Sequence, residues 1–354
     1  MRSGRGEIFV GSSDLRCVRS DLGENIRGRH ADAAQGRRPS VTGVAPCSTM
    51  SGGGRPHRTT LDVVRAAAEL WDQDEQDIGY LARLFTQTSL PYKDPGDVPA
   101  WGRRNGALSL TVQPGMVTNA DGSTRSLGYP FGTVPRLLLT WLSTEAVRTK
   151  SQELELRSSL AEFMRALGLQ PSGGCNGTIT RLRKQAERLF MATLTMHWDD
   201  QDSTGGLRLG VANGYRLWKS EREGQPSSIP SFVRLSGEFY TEVTEHPVPL
   251  DLGALRALGG SPLRLDVYCW LTYRMSYLHR RSQVPWASLR QQFGSNNADT
   301  VNGRAQFRKD FLSALREVLV VYREAHVEIV KAGVVLLPSR THVPFKGLRA
   351  LASG

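Results

Sequence analysis

Residues 129–198 read YPFGTVPRLLLTWLSTEAVRTKSQELELRSSLAEFMRALGLQPSGGCNGTITRLRKQAERLFMATLTMHW. Three helical periods follow one another, and a strand pattern closes the stretch. Pro135 falls in the first turn of the first helix, where its missing N–H costs nothing, and Thr133 stands where a cap belongs. Leu138, Trp141, Leu142 and Ala146 make the buried stripe. Ser158 is placed to cap a second helix whose Leu160, Phe163, Met164 and Leu167 keep the i, i+3, i+4, i+7 spacing. Gly168 ends it as a left-handed cap would. PSGGCNG is a flexible turn, after which Thr178 is placed to cap a third helix. At 100° per residue, Ile179, Leu182, Ala186, Leu189 and Phe190 share one apolar sector. Arg181, Lys184 and Arg188 lie opposite, with Glu187 the one acid of this helix. Leu194, Met196 and Trp198 then alternate, and the polar turn DDQDSTGG leads to LRLGV and YRLW, which predicts a hairpin. GEFYTEV (237–243) reads as a further strand, and SEREGQPSSIPS as an exposed loop.

Upstream, Thr60 can cap a helix with Leu61, Val64, Ala68 and Trp71 on one face. A short helix is expected over Ile78 to Phe85. Residues 91–128 are loop-rich, with ALSLTVQ (107–113) alternating like a strand. Residues 1–58 are too poor in apolar side chains to offset chain entropy and read as a disordered basic segment. Met50 opens a plausible shorter product, so residues 1–49 are expected to be dispensable.

Downstream, residues 262–338 repeat the order. Leu265 to Leu278 is helical, with Leu265, Tyr268, Cys269, Leu271 and Thr272 bracketing its inner face. WASLRQQFG (286–294) is a second helix, and Asn302 to Val318 a third with Phe307, Phe311, Ala314 and Val318 inward. HVEIV and VVLLP make a hairpin. The separation of Trp141 from Leu160 equals that of Trp270 from Leu289, and both tryptophans begin a Trp-Leu pair. Helix, helix, helix and hairpin, twice, is the order of tandem winged-helix domains. The fold class expected is therefore α+β with two such domains, over 129–250 and 251–345. They follow the disordered arm (1–58) and a lead-in (59–128), and precede a tail (346–354).

The chain has 354 residues, 45 of them Lys or Arg against 34 acids, a net charge of +11 and pI ≈ 9.8. A basic excess suits a polyanionic partner, because each cation near a phosphate displaces condensed counterions. A plain basic surface is the other reading. Arginine dominates the cations; phosphate or base-edge recognition accounts for that, and so does a GC-rich coding sequence. Cys17, Cys47, Cys175 and Cys269 form no CxxC pair and no finger with a histidine, so reduced thiols are expected. No apolar run approaches the ~18 residues of a membrane span. The N-terminus lacks the apolar core of a secretory signal. A cytoplasmic protein with no membrane partner is expected.

Catalytic signatures are missing. There is no GxxxxGKS/T loop for ATP, no HExxH, no GxSxG and no GxGxxG. A nicking enzyme would want two histidines flanking one apolar residue, and the seven histidines are scattered. Asp199, Asp200 and Asp202 read as a solvated turn. Tyr268, Tyr273 and Tyr277 share one helix and read as packing residues. No catalytic residue, metal or cofactor is expected.

The segment YPFGTVPRLLLTWLSTEAVRTKSQELELRSSLAEFMRALGL, with GGCNGTITRLRKQAERLF, resembles the plasmid-encoded RepA family of replication initiators. The likeness runs from about residue 78 to 345 through TSLPYKDP, RRNGALSL, EFYTEVTEHPVPLD, LDVYCWLTYR, WASLRQQFG and FRKDFLSAL. It implies binding to repeated double-stranded sites at a plasmid origin, local duplex opening, and recruitment of the host initiator and replicative helicase. It also implies a homodimer that represses its own gene, for which Leu137, Leu139 and Trp141 are expected to leave an apolar surface on the first helix. Two other readings are a plasmid-borne transcriptional regulator and, in a different class, an origin-nicking enzyme. Helical-wheel placement makes the DNA-facing residues Thr180, Arg181, Lys184, Gln185 and Arg188 in the first domain. In the second they are Asn302, Gln306, Lys309, Ser313 and Arg316. Arg148 and Lys150 are expected to clamp phosphates.

Overall fold

The computed structural model describes residues 60–344 apart from 73–74, 157–159, 174–176, 218–230 and 295. The segment 1–58 with its Cys17 and Cys47, the Ser158 cap, Cys175, most of the 220–231 loop and the tail lie outside the described residues.

The chain begins with α1 (Thr60–Trp71), β1 (Ile78–Ala82) and the one-turn α2 (Leu84–Gln87). Strands β2 (Trp101–Asn105) and β3 (Leu108–Gln113) follow, then a small hairpin, β4 (Met116–Thr118) and β5 (Thr124–Ser126). The first helical unit comprises α3 (Thr133–Thr149), β6 (Glu153–Glu155), α4 (Leu160–Ala166) and α5 (Thr178–Met191). It continues with β7 (Thr193–Asp199), β8 (Thr204–Gly210), β9 (Ala212–Arg216) and β10 (Phe232–Leu235). A connector of α6 (Gly237–Glu245), β11 (Pro247–Asp251) and α7 (Leu252–Leu258) leads to the second unit. That unit is α8 (Pro262–Tyr277), β12 (Ser282–Pro285), α9 (Trp286–Phe293), α10 (Val301–Val321), β13 (Val327–Val330) and β14 (Gly333–Leu336).

The mixed helix-and-strand class expected from the sequence stands. In each unit the strand after the first helix pairs with the last strand, which also pairs with the one before it. The sheet orders are β6-β10-β9 and β12-β14-β13, all antiparallel. In each unit the tryptophan of the first helix meets a phenylalanine of the second edge-on. Trp141 and Phe163 have centroids 4.8 Å apart, and Trp270 and Phe293 5.7 Å. Leu182 and Ala186 on α5, like Phe307 and Phe311 on α10, are buried.

Six expectations are corrected. The hairpin β7–β8 exists, but it does not join the small sheet of its unit. It pairs with β3, giving a four-stranded sheet β2-β3-β7-β8, and β9–β10 takes the place expected for it. Ile78–Ala82 is a strand rather than helix because β11 supplies its ladder. GEFYTEV is helical because the Ser236 side chain accepts from Phe239 N and caps it. On α1 the buried residues are Val63 and Ala67, while Leu61, Val64 and Trp71 face outward. Thr60 starts that helix and donates to Glu317 on α10 instead of capping. Thr133 likewise stands inside α3, after Gly132.

The units share one core. Arg136 of α3 and Asp266 of α8 are buried together. The guanidinium donates to both carboxylate oxygens at 2.7 and 2.8 Å and to the carbonyls of Leu90, Pro91 and Gly132 at 2.7, 3.3 and 2.7 Å. All five of its N–H donors are used, and it lies 5.0 Å from the Tyr92 ring centre. A cavity of about 20 Å³ lies beside this pair, enough for one water. Leu139 and Trp141 are also buried and Leu137 is half-buried against the same core, so most of the apolar surface expected of these three on α3 is covered.

Trp141→Ala and Trp270→Ala should each cost ~3–5 kcal/mol, the range for a large buried aromatic. Urea unfolding decides it; two unchanged midpoints would separate these residues from their cores. Arg136→Met should destabilise by ~3–5 kcal/mol, because it leaves a carboxylate buried without its partner. In the same assay, an Arg136→Met/Asp266→Leu double variant should recover most of that loss.

Candidate nucleic-acid interface

Helix α5 starts abruptly because a side-chain bracket holds its first turn. Ser172 Oγ accepts from Thr178 N at 3.0 Å, and Thr178 Oγ1 donates to Gln170 O at 2.6 Å. Thr178 therefore anchors the helix from inside rather than capping it. Leu182, Ala186, Leu189 and Phe190 point inward, and Ile179 is half-buried. Arg181 and Lys184 stand exposed on the outer face and Thr180 is half-buried.

Two expected outward residues are not outward. Gln185 is buried, and its Oε1 accepts from Phe131 N at 2.8 Å. Arg188 bends back over the loop preceding α3. Its Nε donates to Leu127 O at 2.8 Å, and its Nη1 reaches Tyr129 O and Asp94 at 3.3 Å. Its guanidinium also lies over the Phe131 ring at 5.4 Å. Gly128, at φ +81°, brings its backbone so close that an added Cβ would meet that guanidinium at 3.0 Å. A helical wheel places side chains by Cα angle and does not register a loop folded against the helix.

At the end of α3, Arg148 donates to Ile78 O at 2.7 Å and pairs with Asp77 at 3.5 Å. Its guanidinium is engaged in holding β1. Lys150 is exposed and occupies the left-handed cap at φ 55°, a conformation uncommon outside glycine.

On α10, Thr300 accepts from Gly303 N and caps the helix. Asn302, Gln306, Lys309, Ser313 and Arg316 are all exposed, as the wheel placed them. Gln306 donates to Asp310 at 2.6 Å, so one acid sits on this face. Sequence reasoning missed Arg308. Its guanidinium stacks 4.7 Å from the Trp286 ring centre and reaches Lys331 O at the β13–β14 turn at 3.4 Å. It thus bridges the exposed helix and the hairpin. Its partner is on another helix, and nothing in the local pattern signals the stack.

The other groups weighed in the sequence have structural partners. Asp200 accepts from Asp202 N and Ser203 N, and these bonds hold its carboxyl below the usual range. Tyr268 is buried: its oxygen accepts from Asp251 N and lies 2.8 Å from His342 Nδ1, and burial pushes the phenol well up. Tyr273 and Tyr277 pack ring to ring at 5.0 Å. Cys269 is free and buried, its thiol pushed up by desolvation. Among the described residues no group of three or more His, Cys, Asp or Glu is arranged for a metal. Nor is any helix among them long and apolar enough to cross a membrane.

The geometry is that of an α+β protein in which a helix-and-strand order recurs, each copy with basic residues on an outer helix face. Residues 129–287 match the family model described as plasmid encoded RepA protein. Over that stretch the chain is similar to the plasmid-encoded RepA family, and the resemblance read from the sequence stands there. No curated protein matches the chain. Two of the solved structures similar to it are crystal structures of RctB domains. One is the crystal structure of selenomethionine derivatives of domain 2 and domain 3 of RctB, with 12% identity and TM-score 0.44 over 72% of this chain and 95% of that one. The other is the crystal structure of RctB domains 2-3, with 13% identity and TM-score 0.43 over 71% and 94%.

Arg188→Ala should lower stability by ~1–3 kcal/mol, the cost of leaving buried carbonyls unpaired. Thermal melting together with DNA binding checks this. Loss of sequence preference at an unchanged melting temperature would put Arg188 back on a reading face.

Proposed function

We propose that the protein is a plasmid replication initiator acting by binding, without chemistry of its own. It binds repeated double-stranded sites at a plasmid origin, promotes local opening and recruits the host initiator and replicative helicase. In its dimeric form it represses its own gene. The match to plasmid encoded RepA protein over residues 129–287 carries this reading.

Each three-helix unit is read as a winged-helix domain. The shared strand order supports this, as do the packing of β9 against α5 and the reach of Arg308 from α10 to the β13–β14 turn. A helix that enters the major groove needs one face on the core and one free. In α10 the free face is Asn302, Gln306, Lys309, Ser313 and Arg316, with Arg308 beside the turn. In α5 the exposed face narrows to Arg181 and Lys184, with the half-buried Thr180 at its edge. Lys150 is kept as a phosphate contact. Arg148 could join it only by giving up its bonds to β1.

Arg181→Ala should weaken binding to the DNA upstream of the gene by ~1–3 kcal/mol more than binding to scrambled DNA. Lys150→Ala should weaken both alike and lower the salt slope by about 0.9, one phosphate. Isotherms on both DNAs across a salt series decide it. Equal losses on the two DNAs for Arg181 would show that α5 does not read bases. Protection of repeated sites inside a minimal replicating origin, rather than only at a promoter, separates an initiator from a transcriptional regulator.

A further inference from the structure

The four-stranded sheet β2-β3-β7-β8 is an addition to the first unit, and its two faces differ sharply. The inner face carries Leu110, Val112, Leu194, Met196 and Leu209, all buried. The outer face follows the register across the sheet. One row is Arg104, Ser109, His197 and Gly206, and the next is Gly102, Thr111, Thr195 and Arg208. Gln113 and Thr193 continue it. None of these positions is acidic or a large apolar residue. The nearest carboxylate on this face is Asp199, in the terminal pair with Thr204.

Several arginines elsewhere are neutralised. Arg148 and Arg256 pair with Asp77, Arg234 with Glu153, and Arg290 and Arg304 with Asp299. Arg104 and Arg208 are exposed and have no ion pair among the described residues. They sit on the two edge strands, roughly 15 Å apart at strand spacings of ~4.8 Å. Between them lie hydroxyls and the His197 imidazole. Guanidinium and hydroxyl groups are among the side-chain groups that contact phosphate oxygens. The separation is comparable with a major groove ~12 Å wide, so two flexible arginine stems can reach phosphates on both sides of one groove.

We infer that the outer face of this sheet, through Arg104 and Arg208, is a second contact surface for the phosphate backbone of double-stranded DNA. The inference rests on the DNA-binding reading above and adds to it a contact blind to sequence, apart from either helix. The occupant is a polyanion rather than a second copy of the chain, because the face offers positive charge and no apolar area to bury.

The test uses the full chain and a short duplex of arbitrary sequence, with affinity followed from about 50 to 200 mM salt. Arg104→Ala/Arg208→Ala should lower the slope of log K against log salt by about 1.8, two phosphates at ~0.9 each. Arg104→Lys/Arg208→Lys should restore it, and melting temperatures should not move. A Lys309→Ala/Arg316→Ala variant runs in parallel. If the α10 variant loses slope and the folded sheet variant keeps the wild-type value, the sheet proposal falls and the DNA-binding reading stands. If the wild-type chain fails to bind the duplex, both fall. A sheet variant altered only in sedimentation, with its slope intact, would assign the face to a second copy and overturn the proposal.

Discussion

The two units are locked by the buried contact between Arg136 and Asp266. It joins the first helix of one unit to the first helix of the other and ties in the 90–92 segment through its carbonyls. Desolvation lifts the Asp266 carboxyl above its ordinary range, and the Arg136 guanidinium opposes that rise. Such a pair adds little net stability over an apolar substitute, since taking both charges out of water costs several kcal/mol. Its value is geometric. A bidentate fork has one good orientation, so it fixes how α3 lies against α8. Sliding the units apart would strand a charge in the core. A second buried pair, Arg264 with Glu317, holds α8 to α10 in the same way, and Thr60 attaches α1 to it.

On that frame the exposed basic helices are fixed in direction. The side chains that point outward on α10 do so because Phe307, Phe311, Ala314 and Val318 are buried beneath them. Arg308 is held by an indole rather than by a carboxylate, so its charge remains available while its position is set. Arg188 is used in the opposite sense. Its charge is partly spent on Asp94 and its donors on backbone carbonyls. Residue type alone does not separate the two cases; the partner does.

The long helices were legible because large apolar residues recur at helical spacing on α3, α8 and α10, and turn residues bound them. The β13–β14 hairpin was legible for the same local reasons. Helix α1 misled because its contact face is built from Val63 and Ala67, small residues that permit close packing against α10 and α7. A reading that follows bulk selects Leu61, Val64 and Trp71 instead. Strand β1 misled because its stabilising partner, β11, is remote in sequence, and IGYLA suits either period. In GEFYTEV a single capping serine outweighed the alternation. On α10 the wheel gave the exposed side chains correctly. It failed for Gln185 and Arg188, whose partners lie in the loop before α3. The basic outer face of the sheet was not legible, since it needs β3 beside β7 and no local pattern sets that register.

The pairing of β1 with β11 also orders events in time. Ile78 faces Asp251 in the ladder, and α1 packs on α10 beyond it. During synthesis the first-made elements have no partner until the chain has grown well past them. Closing so large a loop costs entropy before any contact repays it, and such topologies fold slowly. The exposed edge of β1 and the apolar sides of α1 must therefore wait on the ribosome, open to other chains. For this protein the vulnerable interval lies at birth, and the last helix to emerge is the one that ends it.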